Sequence, residues 1–331
     1  MITDLFATAS GFHVDALGEV VPPACRQPSS GPPLVTAVGV GEVLLEFPEC
    51  RPRVPVRHVV PSLSVLTDID YAVRFEVSTE IGGTWSPWVG TVGIGPAEFP
   101  SLPAATDAFT SDVDLFTAGA SVERLRLRIR VRASDPRALL AAPWIATLSA
   151  CDLGSLAPEG SAVSTPRLPV PTRSQMEEPA EIARRICSPT SVAMVLDYWG
   201  AEPALGPLAA EIFHAGLDSY GVWPAAIRAA GRRGVAGYLL RFPDWASAAW
   251  CLERKLPIIA SLRYAAGELT GAAIAETAGH LVVFTGAEAD DVLVNDPAAA
   301  TAAEVPRRYR LAEIRRVWLD RAGVGYVLFR R

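Results

Sequence analysis

Several chemistries are excluded by what this chain does not contain. It has no CxxC pair, which removes the usual thiolate zinc site and the dithiol redox centre. Its five cysteines, at 25, 50, 151, 187 and 251, are odd in number and cannot all pair within the molecule. Cys25 and Cys50 are the two open to bridging, and the plain reading is a reduced cytosolic protein with mostly buried thiols. HExxH, a Gly-rich phosphate loop and a Cys/His ligand cluster are also missing, so no metal, nucleotide or redox cofactor is expected. No apolar run approaches the 18 or so residues of a membrane span. Nothing basic precedes Arg26, so the pattern of a secretory leader is missing. The expectation is a cytoplasmic protein with no membrane association, or an exported one if the true start lies upstream. Positive charge is in deficit too. With 30 Lys and Arg against 36 Asp and Glu, the net charge of −6 gives no pull towards nucleic acid.

What is present is hydrophobic mass in two halves of different period. The chain has 331 residues, half of them hydrophobic, enough for two cores. Gln27 to Pro33 reads as a loop, and strand patterns follow it. Tyr71, Val73, Phe75 and Val77 alternate with Ala72, Arg74, Glu76 and Ser78, which predicts a strand with one buried face. Gly82-Gly83 turns the chain into Trp85-Ser86-Pro87-Trp88. Leu125, Leu127, Ile129 and Val131 alternate with five arginines from Arg124 to Arg132. Such strands with little helical period predict an antiparallel β-sandwich over residues 1–152. The arginines read as a solvated sheet face whose partners include Asp112 and Asp114, rather than as an anion-binding stripe. Trp85 and Trp88 read as rim and core aromatics, rather than as a sugar or peptide groove.

Residues 153–171 hold Gly154, Pro158, Gly160, Pro166, Pro169 and Pro171, a linker composition. Beyond them Val192, Val195, Leu196 and Trp199 mark one helical face, stopped by Gly200. Apolar strand-like runs follow at 256–262, 281–284, 292–294 and 324–329. Helices first and strands last describe an α+β domain over 172–331.

Four residues in that domain carry chemistry. Cys187 precedes Pro189 at a predicted helix start, where free N–H groups and the helix dipole favour a thiolate. A thiol nucleophile needs a base within reach. His280, one of four histidines, stands at the start of an apolar strand beside Gly279. His13 and His58 lie in less suggestive settings, and His214, after Phe213 on a predicted helix, reads as a surface or capping residue. Asp296, in Asn295-Asp296-Pro297 after the next strand, is placed to orient the histidine ring, with Asn295 its competitor. Gln175, twelve residues before Cys187, could donate to an oxyanion, although it also reads as a plain linker glutamine. Gly221-Val222-Trp223 reads equally as a cleft wall and as core.

In this order and context these residues resemble the papain-fold cysteine peptidases, and more narrowly the bacteriocin-leader-processing family (cysteine peptidase family thirty-nine) and its bacterial relatives. The resemblance is carried by the segments around Gln175, Cys187, Gly221-Val222-Trp223-Pro224, Gly279-His280 and Asn295-Asp296-Pro297. It covers about residues 168–331 and implies a papain-like fold with Cys187 as nucleophile, His280 as base, Asp296 as orienter and Gln175 as oxyanion donor. The N-terminal half is similar to a β-rich module that precedes this domain in some relatives. Relatives of that layout are often exported. Members that process leaders usually have Gly after the nucleophile, and here Ser188 would add a side chain near the cleft. They are commonly fused to a transporter, for which this chain has no segment. The expected activity is hydrolysis of a peptide or amide bond in a peptide or protein substrate. The alternatives are an amidase or acyltransferase using the same residues, or a glycan- or protein-binding module carrying an inactive papain-like domain.

Overall fold

The computed structural model of the protein describes residues 2–13, 15–153 and 163–330. In the N-terminal half the strands are β1 (Thr3–Ser10), β2 (Arg26–Gln27), β3 (Leu34–Gly39), β4 (Glu42–Glu46), β5 (Val56–Val65) and β6 (Tyr71–Ile81). They continue as β7 (Thr84–Trp85), β8 (Val89–Gly90), β9 (Phe109–Asp112), β10 (Leu115–Val122), β11 (Leu125–Ala133) and β12 (Trp144–Cys151). One six-stranded sheet runs β2-β1-β12-β5-β10-β9, and a second runs β3-β4-β11-β6-β7 with β8 beside β6. All pairs are antiparallel except the short β1–β2 pair. The alternation reads directly into place: Leu125, Leu127, Ile129 and Val131 are buried, as are Tyr71, Val73, Phe75 and Val77.

The opposite face is not the solvated one expected. Arg74, Glu76 and Ser78 are buried as well. Glu76 is fully enclosed and accepts from Arg74, Arg128 and Arg130 at once. Glu42 takes Arg130 and Arg132, and Glu49 takes Arg124 at 2.7 Å. Asp112 and Asp114 are not the partners, because both sit at the β9–β10 turn of the other sheet. Trp85 and Trp88 lie flat on the cations, with the Arg126 guanidinium 3.9 Å from the first ring centre and Arg128 4.2 Å from the second. They are neither a groove nor plain core. They cover an arginine–glutamate lattice built around the buried carboxylates of Glu76 and Glu42. The cysteines at 25 and 50 are both free thiols.

The C-terminal half begins with α3 (Ala180–Ala183), α4 (Cys187–Tyr198), α5 (Leu205–Ile212) and α6 (Trp223–Gly231), after the short N-terminal helices α1 (Ala16–Val20) and α2 (Pro136–Ala141). Strands β13 (Ala236–Arg241), β14 (Ile258–Tyr264), β15 (Thr277–Glu288), β16 (Asp291–Asn295), β17 (Pro306–Arg310) and β18 (Val324–Phe329) form one antiparallel sheet, ordered β13-β18-β14-β15-β16-β17. Helix α7 (Trp245–Glu253) follows β13 and α8 (Leu311–Ile314) follows β17. This half is mixed α and β, as its change of period implies. Part of the expected linker belongs to the sheet. Thr165 and Leu168 donate to Ala287 and Thr285 of β15, at 2.9 and 2.7 Å, and Leu168 and Val170 are buried. Prolines suited to a linker suit an extended segment laid on a sheet equally well. Gly154, Pro158 and Gly160 lie outside the described residues.

The two halves share a tight junction. β13 is the edge of its sheet, and its outward N–H groups at Gly237, Leu239 and Arg241 donate to Ser64, Ser62 and Ser149 on β5 and β12. Helix α6 presses on the same sheet so closely that a Cβ on Gly231 would stand 2.6 Å from the Val65 carbonyl oxygen. Arg228 of α6, almost fully buried, donates to the Tyr71 carbonyl at 2.7 Å and pairs with Asp70 and Glu211.

Candidate active site

Helix α4 sets the site. Its sequence shows one apolar face, but every residue from Ser188 to Leu196 is buried, so the helix runs through the core. Its hydroxyls find partners inside: Thr190 bonds the Ile186 carbonyl at 2.8 Å, and Ser191 bonds the Leu281 carbonyl at 3.0 Å. The second bond ties the helix to β15 one residue beyond His280. Gly200 ends the helix with φ +74.

Cys187 is the first residue of α4, where backbone N–H groups have no helical acceptor. Its sulfur is within hydrogen-bonding reach of the His280 ring and of the Ser188 and Leu281 N–H groups. Burial raises its pKa, but His280 and those N–H donors outweigh burial and hold the thiol below its ordinary value. Of the five thiols, Cys25, Cys50 and Cys151 are pushed up by burial to about 12, and Cys251 is raised as well. Cys187 alone is shifted towards the thiolate.

His280 is 2 % exposed and directs Nε2 to Asp296 Oδ1 at 2.8 Å, which leaves Nδ1 for the thiol. Burial opposes the imidazolium, yet the Asp296 charge and its hydrogen bond raise the ring's pKa overall. Burial likewise opposes the Asp296 carboxylate. The His280 charge, the Tyr309 hydroxyl at 2.6 Å and the Ala298 N–H at 3.0 Å together keep it ionised. Asn295 points away from the ring: its amide donates to the Val170 carbonyl at 3.1 Å. Tyr309 went unseen in the sequence. Its signal is a buried aromatic between the exposed Arg308 and Arg310 of β17, a polar tip that needs a partner.

Gln175 is brought to the same place by a docked segment. Arg173 forks onto Asp197 of α4 at 2.5 and 2.8 Å, Ser174 donates to the Ala299 carbonyl at 2.5 Å, and the Gln175 N–H donates to the Pro297 carbonyl at 2.9 Å. Gln175 is buried, and its Oε1 has no hydrogen-bond partner among the described residues. Gln175, Cys187 and His280 line one cavity of about 350 Å³, closed on other sides by Met176 and Ile274.

Other candidates lie elsewhere. Ser188 is fully buried with its hydroxyl 3.4 Å from Tyr326 Oη, so it faces the core and adds nothing to the cleft. Trp223 opens α6 and lines a second cavity of about 680 Å³ at the junction of the halves, with Asp114 and Arg263. His13 is exposed near Glu19, and His58 Nδ1 accepts the Leu153 N–H at 3.0 Å. His214 lies beyond α5, not on it, and Nε2 meets the Gly93 carbonyl at 2.9 Å. Among the described residues no group of three or more His, Cys, Asp or Glu could hold a metal, and no helix is long and apolar enough to cross a membrane.

Residues 167–326 match the family model described as Peptidase_C39 like family. Two solved structures are similar to about half of this chain. A double glycine motif protease from an AMS/PCAT transporter, in complex with the leader peptide, is 19% identical with a TM-score of 0.35, covering 52% of this chain and 100% of its own. A putative C39-like peptidase from Bacillus anthracis is 17% identical with a TM-score of 0.40, covering 51% of this chain and 98% of its own. Among curated proteins none matches.

Proposed function

Since residues 167–326 belong to the C39-like peptidase family and the chain is thereby a cysteine-type peptidase, we propose that Cys187, His280, Asp296 and Gln175 hydrolyse a peptide bond in a peptide or protein substrate. The observation that carries this reading is the buried line from Tyr309 through Asp296 and His280 to Cys187 at the start of α4. Each member supplies what the next requires. Asp296 stabilises the imidazolium, and the imidazolium with two backbone N–H groups stabilises the thiolate.

In the proposed reaction the thiolate attacks the carbonyl carbon. The oxyanion is held by the Gln175 side-chain amide and the free Cys187 N–H. His280 gives its proton to the leaving amine as the C–N bond breaks, leaving a thioester. His280 then takes a proton from water, whose oxygen displaces the sulfur to release the carboxylic acid, and the ion pair is restored. The N-terminal half is read as an accessory β-sandwich built from its two sheets, the peptidase domain following it.

The test is hydrolysis of a peptide pool by the full chain, compared with Cys187→Ala and His280→Ala. Loss of cleavage in both supports the assignment; cleavage that survives Cys187→Ala overturns it. Added amines separate the acyltransferase alternative, since transfer then replaces release of free acid. A Cys187 of ordinary reactivity would instead favour a binding module on an inactive domain.

A further inference from the structure

The cavity over Cys187 has one charged side chain in its wall besides the Cys187–His280 pair, and it is Arg184. The rest of that wall includes neutral Met176, Ile274, Thr277 and Ala298. Arg184 follows α3 directly and stands three residues before the thiol. Its neighbour Arg185 is occupied, donating to Asp218 at the carbonyl and at Oδ1, 2.6 and 2.7 Å. Arg184 makes no hydrogen bond or ion pair with any described residue, although Glu181 lies one turn back. Glu177, also close in sequence, is engaged by the Ala302 N–H at 2.9 Å. The cleft therefore holds a guanidinium that the protein itself leaves unpaired.

Such a group stays charged at any working pH and presents a planar fork that fits a carboxylate with two parallel hydrogen bonds. We infer that Arg184 sets the substrate preference of this cleft by pairing with the side-chain carboxylate of an Asp or Glu residue bound next to the scissile bond. The inference rests on the peptidase reading, and names the substrate class that reading leaves open.

A direct test compares alkylation of Cys187 by iodoacetate, which carries a carboxylate, and by iodoacetamide, its neutral isostere, read by peptide mass spectrometry on the full chain. Arg184→Gln is expected to lower the iodoacetate-to-iodoacetamide rate ratio roughly three- to fivefold, the scale of an exposed ion pair. Arg184→Lys should keep most of the ratio, and about 1 M salt should erase the difference. A ratio unmoved by Arg184→Gln, while Cys187 still outpaces Cys50 with both reagents, overturns the inference and leaves the peptidase reading intact. If Cys187 reacts with iodoacetamide no faster than Cys50, the peptidase reading falls and takes the inference with it. C-terminally amidated peptides with Glu or Gln beside the cleaved bond complete the test. Preference for Glu in wild type, lost in Arg184→Gln, is expected; equal cleavage of the two peptides by wild type refutes the side-chain assignment.

Discussion

Asp114 of the N-terminal half accepts the backbone N–H of Trp223, the first residue of α6, at 2.7 Å across the junction. The carboxyl is 7 % exposed, and burial pushes its pKa up to about 7 against the pull of the Trp223 N–H. An unfolded aspartate titrates near about 3.9. The folded state thus binds this proton more tightly, and the stability it contributes is full below about pH 4 and lost as pH rises through 7. The loss is at most about 4 kcal/mol, three pKa units at 1.36 kcal/mol each. Thermal unfolding should give a lower Tm at pH 8 than at pH 5. Asp114→Asn, which keeps an acceptor for Trp223, should flatten that fall; an unchanged slope would assign it to other groups.

Alkylation rates at each cysteine should set Cys187 apart. Its depressed pKa and the raised pKa of His280 mean that the thiolate–imidazolium pair persists between the two values. Cys187 is expected to alkylate faster than the other four thiols at every pH below its ordinary pKa of about 8.5. In His280→Ala the thiol should return towards about 8.5 and lose that advantage, at roughly tenfold in rate per pKa unit recovered.

On the proposed mechanism Tyr309 acts through Asp296, as a positioning residue. Tyr309→Phe removes the hydroxyl that helps keep Asp296 ionised, so the Asp296 pKa should rise. The acid limb of the pH–rate profile for peptide hydrolysis should move to higher pH. kcat should fall about tenfold, the scale of one hydrogen bond to a charged group. A profile that keeps its shape while only Tm drops would make Tyr309 structural.

Glu76, fully buried, accepts hydrogen bonds from three arginines. Glu76→Gln keeps the shape but leaves Arg74 buried without its counter-charge. Denaturant unfolding should show a loss of about 3–5 kcal/mol, the usual result of breaking a buried ion pair from one side. A loss below about 1 kcal/mol would mean that the lattice is effectively wet.

Much of the candidate site's geometry was legible because its members follow local rules. Cys187 at a helix start and Asp296 after a strand are placed by Pro189 and by alternation, and His280 follows from the pairing of β15 with β16. Ser188, which the sequence places near the cleft, faces the core instead, because the sequence cannot say that α4 is buried all round. The arginine run gave the right strand and face, but not Glu42 and Glu76 as partners, since strand order across a sheet is a long-range property. Tyr309 was hidden for the same reason: β17 reaches Asp296 only after β16 has turned the chain. Arg173, Ser174 and the Gln175 N–H looked like linker until their acceptors, all distant in sequence, came into place.

The serine-capped rim of β13 bears on why the two halves travel on one chain. A sheet edge with free N–H groups is a template on which a strand from another molecule can grow. Here the row at Gly237, Leu239 and Arg241 is met by hydroxyls from Ser64, Ser62 and Ser149, which have no further strand to offer. The N-terminal half thus ends the sheet as a selvedge ends a cloth. A peptidase cut loose from it would carry a raw margin, open to its own kind and to any extended peptide that its cleft was meant to receive.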